Sequence, residues 1–292
     1  MAQSKILKTH ISNKRRGVEG KTGQVFLHLY VWLNVLFVMF PFLLTFFFSF
    51  KSADDFLKGF WALPSVLQFE NYAFSLSVIG KNMLNTILYS ATVCFFSLFI
   101  ASITAYAFSR YDFRFKRVLF TLIISMMMVP GVLTLTPSYL LILNLNLRNT
   151  PFAVILPSIS TSIVSGVFLF STFMGQHPAE LYESASIDGA GMFRMYISIC
   201  IPLSVPVLMI QFVSIFSSQY NDYMWALLVI DDIKIQTLMP LLRKLTSDAY
   251  AQTLNPGVTY AIYLCSGIPL VFTSAIGLKY FVNGDFASGM KL

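Results

Sequence analysis

The feature that most limits what this chain can fold into is its repeated long apolar run. Residues 25–50 contain no Asp, Glu, Lys or Arg, and runs of similar character recur at 83–109, 118–143, 151–174, 202–230 and 257–282. Each is long enough to cross about 30 Å of hydrocarbon as a helix. In lipid the backbone must satisfy its own hydrogen bonds, and a span of this length does so as an α-helix. The expected fold is an all-α membrane protein with about six transmembrane helices. Six such helices leave little of the 292 residues for a separate soluble domain.

Charge sets the expected orientation. The chain carries 20 Lys and Arg against 13 Asp and Glu. A basic nucleic-acid reader needs those cations on one soluble face, whereas here they sit between apolar runs, so no nucleic-acid partner is expected. Thirteen of the cations fall in the N-terminal tail, the loop near Arg110, Arg114, Lys116 and Arg117, the stretch 175–201 and the C-terminal end; seven fall in the other loops. The positive-inside rule then puts both termini and residues 175–201 in the cytoplasm. The domains read as a basic tail at 1–24, a membrane domain at 25–283 and a short cytoplasmic tail at 284–292. The first run is too long, and too bulky where it ends, to be a cleaved signal peptide.

Several chemistries are excluded by pattern. Cys94, Cys200 and Cys265 form no CxxC and no Cys/His cluster, so neither a zinc site nor a disulfide framework is expected. No G-x-S-x-G or H-E-x-x-H occurs, and no catalytic residue is assigned. Gly17-Val-Glu-Gly20-Lys21-Thr22 ends like a phosphate-binding loop but lacks the first glycine and a preceding strand. Pro130-Gly131 and Pro137 fall inside the third run, where a simple helix kink is the expected outcome.

The stretch 175–201 is the largest polar interruption near the middle of the chain. Pro178 suits a first helical residue and Gly189 a helix end. Glu180, Glu183, Ser184 and Ile187 recur at helical spacing, giving two carboxylates and an apolar anchor on one face. Ala185, Ser186, Ala190 and Gly191 allow a partner to approach closely. A helix resting on lipid would carry Lys and Arg on its polar face, but this one carries Glu180, Glu183 and Asp188 with Arg194 as its lone cation. A protein partner fits better.

Glu183-Ser184-Ala185, Gly189, Ile199 and Pro202 fall at the spacing of the EAA motif, E-A-A-x3-G-x9-I-x-L-P, with Ser184 and Ile201 as mild departures. On these residues, and on Ile187-Asp188-Gly189-Ala190, the chain resembles binding-protein-dependent ABC importer permeases, particularly carbohydrate-importer subunits of the maltose-transporter type. Asn85-Thr86, Ala105-Tyr106-Ala107-Phe108-Ser109-Arg110 and Asn221-Asp222 look like the same family. The resemblance implies a type I importer permease fold in a bacterial-type cytoplasmic membrane. It also implies that Glu183, Ser184, Ala185, Ile187, Asp188, Gly189 and Ala190 form a coupling helix that docks on an ATPase. The implied partners are a second permease subunit, two ATPase subunits holding ATP and Mg, and an extracellular solute-binding protein.

Asp222 is the acidic residue inside the fifth run, and an intramembrane charge is a functional-site candidate by default. With Tyr220, Asn221 and Tyr223 it forms the candidate substrate-pathway group, the aromatics being able to stack on a sugar or to sit at the membrane interface. The expected function is an ATP-driven permease subunit for a carbohydrate. An ion-coupled secondary carrier, or an importer of a non-sugar solute such as a phosphorylated polyol, remains open on the residues alone.

Overall fold

The computed structural model describes residues 21–283, with side chains over 23–280. The expected tails lie outside these residues, apart from Lys21 to Gln24, which open the first helix. Among the described residues the chain is helical, with no strand. The helices are α1 (Lys21–Ser49), α2 (Ala53–Lys58), α3 (Glu70–Arg110), α4 (Lys116–Met127), α5 (Gly131–Asn144) and α6 (Pro151–Met174). They continue as α7 (Ala179–Ile187), α8 (Met192–Tyr220), α9 (Met224–Val229), α10 (Leu238–Thr253) and α11 (Pro256–Asn283). Five are long and apolar enough to cross a membrane, and α4 with α5, bent at their junction, are together long and apolar enough to count as a broken span or a re-entrant loop.

The molecule is organised on α3, 41 residues and about 60 Å long. Its buried stripe, Ser75, Ile79, Asn82, Thr86, Ser90, Val93, Ser97, Ala101 and Ala105, advances by three or four residues, so one face stays against α6, α8 and α11. Small side chains let the helices approach closely. A Cβ on Gly166 of α6 would stand 2.8 Å from the Cβ of Ala101. α1, by contrast, leaves most of its apolar side chains exposed and packs on α11, with the ring of Phe48 5.2 Å from Tyr260.

Four sequence expectations are corrected. The helix that carries the second span extends well before 83: α3 starts at Glu70, and Asn71, Ser75 and Ile79 already lie on its buried face. The third span is not one kinked helix. Pro130 lacks an amide proton and disfavours helical geometry at Val129, so α4 and α5 meet at 98°. The fifth span is not 202–230. Its helix starts at Met192, inside the polar stretch, and a single π turn at Tyr196–Cys200 widens the backbone just before Pro202. It ends at Tyr220, where the Ser217 carbonyl accepts both the Asn221 backbone N–H (3.1 Å) and its side-chain amide (2.8 Å). The expected loop at 231–256 contains α10, whose Leu238, Leu242, Leu245 and Ala249 give it one apolar face toward α3 and α11.

The bundle has two distinct ends. At one, the Asn82 and Asn85 amides, the Tyr89 hydroxyl and the Thr86 oxygen bind the backbone of residues 233–238 at 2.7–3.2 Å. At the other stand the end of α3, α7 and the beginning of α8.

Candidate functional site

Two regions collect side chains that the fold alone does not account for: the α7 knob at one end and a polar cleft beside the α4–α5 break.

The knob is short but firmly held. Arg110, the last residue of α3, donates through Nη2 to the Met174 and His177 carbonyls (3.0 Å to the latter), just where α6 ends. Its guanidinium lies 4.0 Å from the centre of the Tyr182 ring, a cation–π contact reaching into α7. Tyr182 is 9 % exposed, and its hydroxyl is 2.9 Å from His177 Nδ1. Burial pushes the Tyr182 phenol up from its usual pKa. Burial, and then the Arg110 charge, push His177 down, so its imidazole is held neutral. From α3, Tyr106 donates to the Met192 carbonyl (3.3 Å), and Ser102 and Tyr196 share a hydroxyl pair (2.7 Å). The Ala105–Arg110 segment is therefore the bracket that fixes α7 and the root of α8 to the bundle.

Held this way, α7 presents Glu180, Glu183, Ser184 and Ile187 to the outside, Ile187 at 87 % exposure. The chain leaves the helix through Gly189 at φ +77, with the Ala190 amide donating to Ala185 (2.9 Å) and the Gly189 amide to Ser186 (3.0 Å). That pairing is a Schellman cap. Asp188 closes the helix, and Ala185, Asp188, Ala190 and Arg194 line a recess of about 190 Å³ against α8. All seven residues expected for coupling stand on this one projection. Sequence reasoning missed Tyr182 and His177, which hold it, though an aromatic in the middle of an acidic helix was a visible signal.

The second region holds one residue of the expected pathway group and not the other three. Tyr220 is fully buried, and its hydroxyl donates to the Ser266 carbonyl (2.7 Å). Asn221 bonds to its own helix, and Tyr223, 51 % exposed, lines no part of the cleft. Asp222 does line it. It lies after the end of α8, and its Oδ1 accepts from the Trp225 amide at the head of α9 (3.2 Å). The cleft, about 280 Å³, has walls from α5, α6 and the end of α8, with Gly131, Thr134, Ser138, Ser158, Thr161, Ser162, Ser218, Gln219 and Trp225 beside Asp222. It shares Gly131, Thr134, Ser138, Pro157 and Thr161 with a more apolar cleft of about 600 Å³. The signal for this wall was in the sequence: Ser158, Thr161, Ser162 and Ser165 form a hydroxyl stripe at helical spacing in an otherwise apolar run.

Comparison with known proteins bears on both regions. Residues 97–283 match the family described as "Binding-protein-dependent transport system inner membrane component". The chain is 34% identical over 273 residues to the putative ABC transporter permease protein ORF2 of Caldicellulosiruptor sp., covering 91% of this chain and 96% of that one. It is 26% identical over 246 residues to the melibiose/raffinose/stachyose import permease protein MelC of Bacillus subtilis, covering 83% and 88%. Among solved structures, a bacterial ABC transporter involved in the import of the acidic polysaccharide alginate superposes with a TM-score of 0.74 at 23% identity, covering 90% of this chain and 98% of that one.

Proposed function

Because the chain belongs to the family of inner membrane components of binding-protein-dependent transport systems, we propose that it imports a carbohydrate, driven by ATP hydrolysis on separate subunits. The chain is a multi-pass ABC importer permease, a transport subunit and not itself the catalyst. In the proposed assembly it stands beside a second permease subunit, above two ATPase subunits that hold ATP and Mg, and below an extracellular solute-binding protein. Both termini and α7 face the cytoplasm, in line with the distribution of Lys and Arg.

The observation that carries this reading is the anchored, outward-facing α7. A transmission part must be exposed where the partner grips it and rigid where it joins the bundle. Glu183 and Ile187 are exposed, while Tyr182, one residue before Glu183, is clamped by Arg110. An ATPase cleft with basic groups would take the Glu183 carboxylate in charge-assisted hydrogen bonds, and closure of the ATPase dimer would push α7 and, through it, α8. Carbohydrate is the substrate class most consistent with the names of the relatives and with a cleft rich in hydroxyl groups.

Reversing the charge tests the mechanism. In the reconstituted complex, Glu183→Lys is expected to abolish uptake and the stimulation of ATP hydrolysis by the binding protein. Unaltered uptake would overturn the assignment of α7 as the coupling element.

A further inference from the structure

From the other end of α3 we infer that the loop joining α1 to α3, residues 50–69, is an interfacial foot that rests in the outer headgroup layer of the bilayer, with lipid as its partner. The carrying observation is its polarity, which is the reverse of a loop that faces water. Lys51 and Asp55 are fully buried, whereas Leu57, Trp61, Leu63, Val66, Leu67 and Phe69 are 55–86 % exposed. At an aqueous surface charged side chains turn outward, and large apolar ones are exposed singly rather than six to a loop. The inversion is built in. Lys51 Nζ donates to the Gly59 and Phe60 carbonyls (3.1 Å each) and stands 4.6 Å from the centre of the Phe56 ring. Asp55 accepts from the Ser65 hydroxyl (2.6 Å), the Ser65 backbone N–H (3.2 Å) and Lys58 (2.9 Å). The Gln68 backbone N–H donates to the Phe50 carbonyl (3.0 Å) and closes the loop on itself. Its polar groups are spent inward, and its apolar side chains stand outward on a fixed frame.

Position, continuity and charge identify the partner. α1, α3 and α11 are each long and apolar enough to cross the membrane, and their ends meet at this loop. The Asn71 side-chain amide donates to the Ser49 and Lys51 carbonyls (2.8 and 3.1 Å), and a Cβ on Gly257, at the start of α11, would collide with the Lys51 carbonyl. The crossing segments of α1 and α11 have 27 and 25 residues, about 40 Å of helix against about 30 Å of hydrocarbon, so their shared end lies in the headgroup layer. The apolar surface of the loop also continues that of α1. The rings of Phe46, Phe50 and Phe69 follow one another at 5.1 and 5.4 Å, and Phe46 and Phe69 are both exposed. A protein-docking patch surrounds its anchors with polar groups that bond across the interface. Here, of the four charged residues in 51–69, Lys51 and Asp55 are buried, Lys58 is paired with Asp55, and Asp54 is exposed. An aliphatic patch around a tryptophan fits the boundary between headgroups and acyl chains. That this is the outer leaflet follows from the importer reading, which puts α7 at the cytoplasmic end; contact with lipid does not depend on it.

The test replaces Trp61, and separately Leu63, with the photoreactive residue p-benzoylphenylalanine in the assembled permease–ATPase complex, with Leu43 of α1 as the reference position. The complex is irradiated in nanodiscs of phosphatidylethanolamine and phosphatidylglycerol, with and without binding protein, and the adducts are resolved by mass spectrometry. Phospholipid adducts at Trp61 and Leu63 are expected, in yield matching Leu43 and undiminished by binding protein. Cross-links from these two positions to the binding protein or to the second permease subunit would make the loop a protein-docking surface and overturn the foot. So would the absence of any adduct at both positions while Leu43 takes lipid, the result for a loop standing in water. Binding-protein-stimulated ATP hydrolysis by the same complex separates the two readings. If it is absent while Trp61 and Leu63 take lipid, the importer reading falls and the contact stands; if it is present while they take protein, the foot alone falls.

Discussion

Arg110 gives the sharpest test of how α7 is held. Replacing it with Met keeps an unbranched side chain of similar reach but removes the bonds to the Met174 and His177 carbonyls and the contact 4.0 Å from the Tyr182 ring. Two hydrogen bonds from a charged donor contribute about 1.5 kcal/mol each at the low end, and a partly desolvated cation–π contact about 1 kcal/mol. Arg110 is half-buried and water can replace part of the pairing, so about 3 kcal/mol is the expected loss. That corresponds to a roughly 150-fold rise in the opening equilibrium of α7. Hydrogen exchange read by mass spectrometry on peptides from 178–190 measures it, with peptides from 82–94 of α3, far from α7, as internal reference. In the transporter, ATP hydrolysis is expected to continue while uptake falls, since a loosened α7 moves without moving the bundle. Unchanged exchange in 178–190 would refute the reasoning, as would acceleration of equal size in α3.

Two further outcomes follow from the same end of the molecule. A Cβ on Gly189 would meet nothing within 4 Å, so Gly189→Ala costs only its left-handed backbone, about 1 kcal/mol, and Gly189→Asn less; exchange at 178–190 should rise several-fold in the first and little in the second. His177 is held neutral below its usual pKa of 6.5 by burial and Arg110, so the open state takes up a proton first as pH falls. The docked state therefore keeps its full stability above about pH 6.5 and loses it as the pH falls below that, and exchange at 178–190, corrected for intrinsic rates, should show that dependence in wild type and lose it in His177→Gln.

How much of this was legible in the sequence depends on how local the cause was. The α7 knob was readable because a first-turn proline, a Glu-x-x-Glu spacing and a glycine are all decided within about a dozen residues. The hydroxyl stripe of α6 and the charge of Asp222 were equally visible. What they line was not, because the cleft forms only when residues 131–138, 157–162 and 218–225 converge, and that convergence depends on the 98° turn at Pro130. A proline in an apolar run fixes only a missing hydrogen bond. Whether the run kinks gently or bends sharply is decided by what lies beside it, here α6 against α4 and α9 against α5. The same logic could not tell Tyr220 from Gln219. On sequence alone both are polar groups near Asp222, but only packing decides that the Tyr220 hydroxyl finds the Ser266 carbonyl while the Gln219 amide finds nothing. That distinction is a property of three-dimensional contacts, which is why the α7 projection could be read from the chain and the lining of the cleft had to be read from the fold.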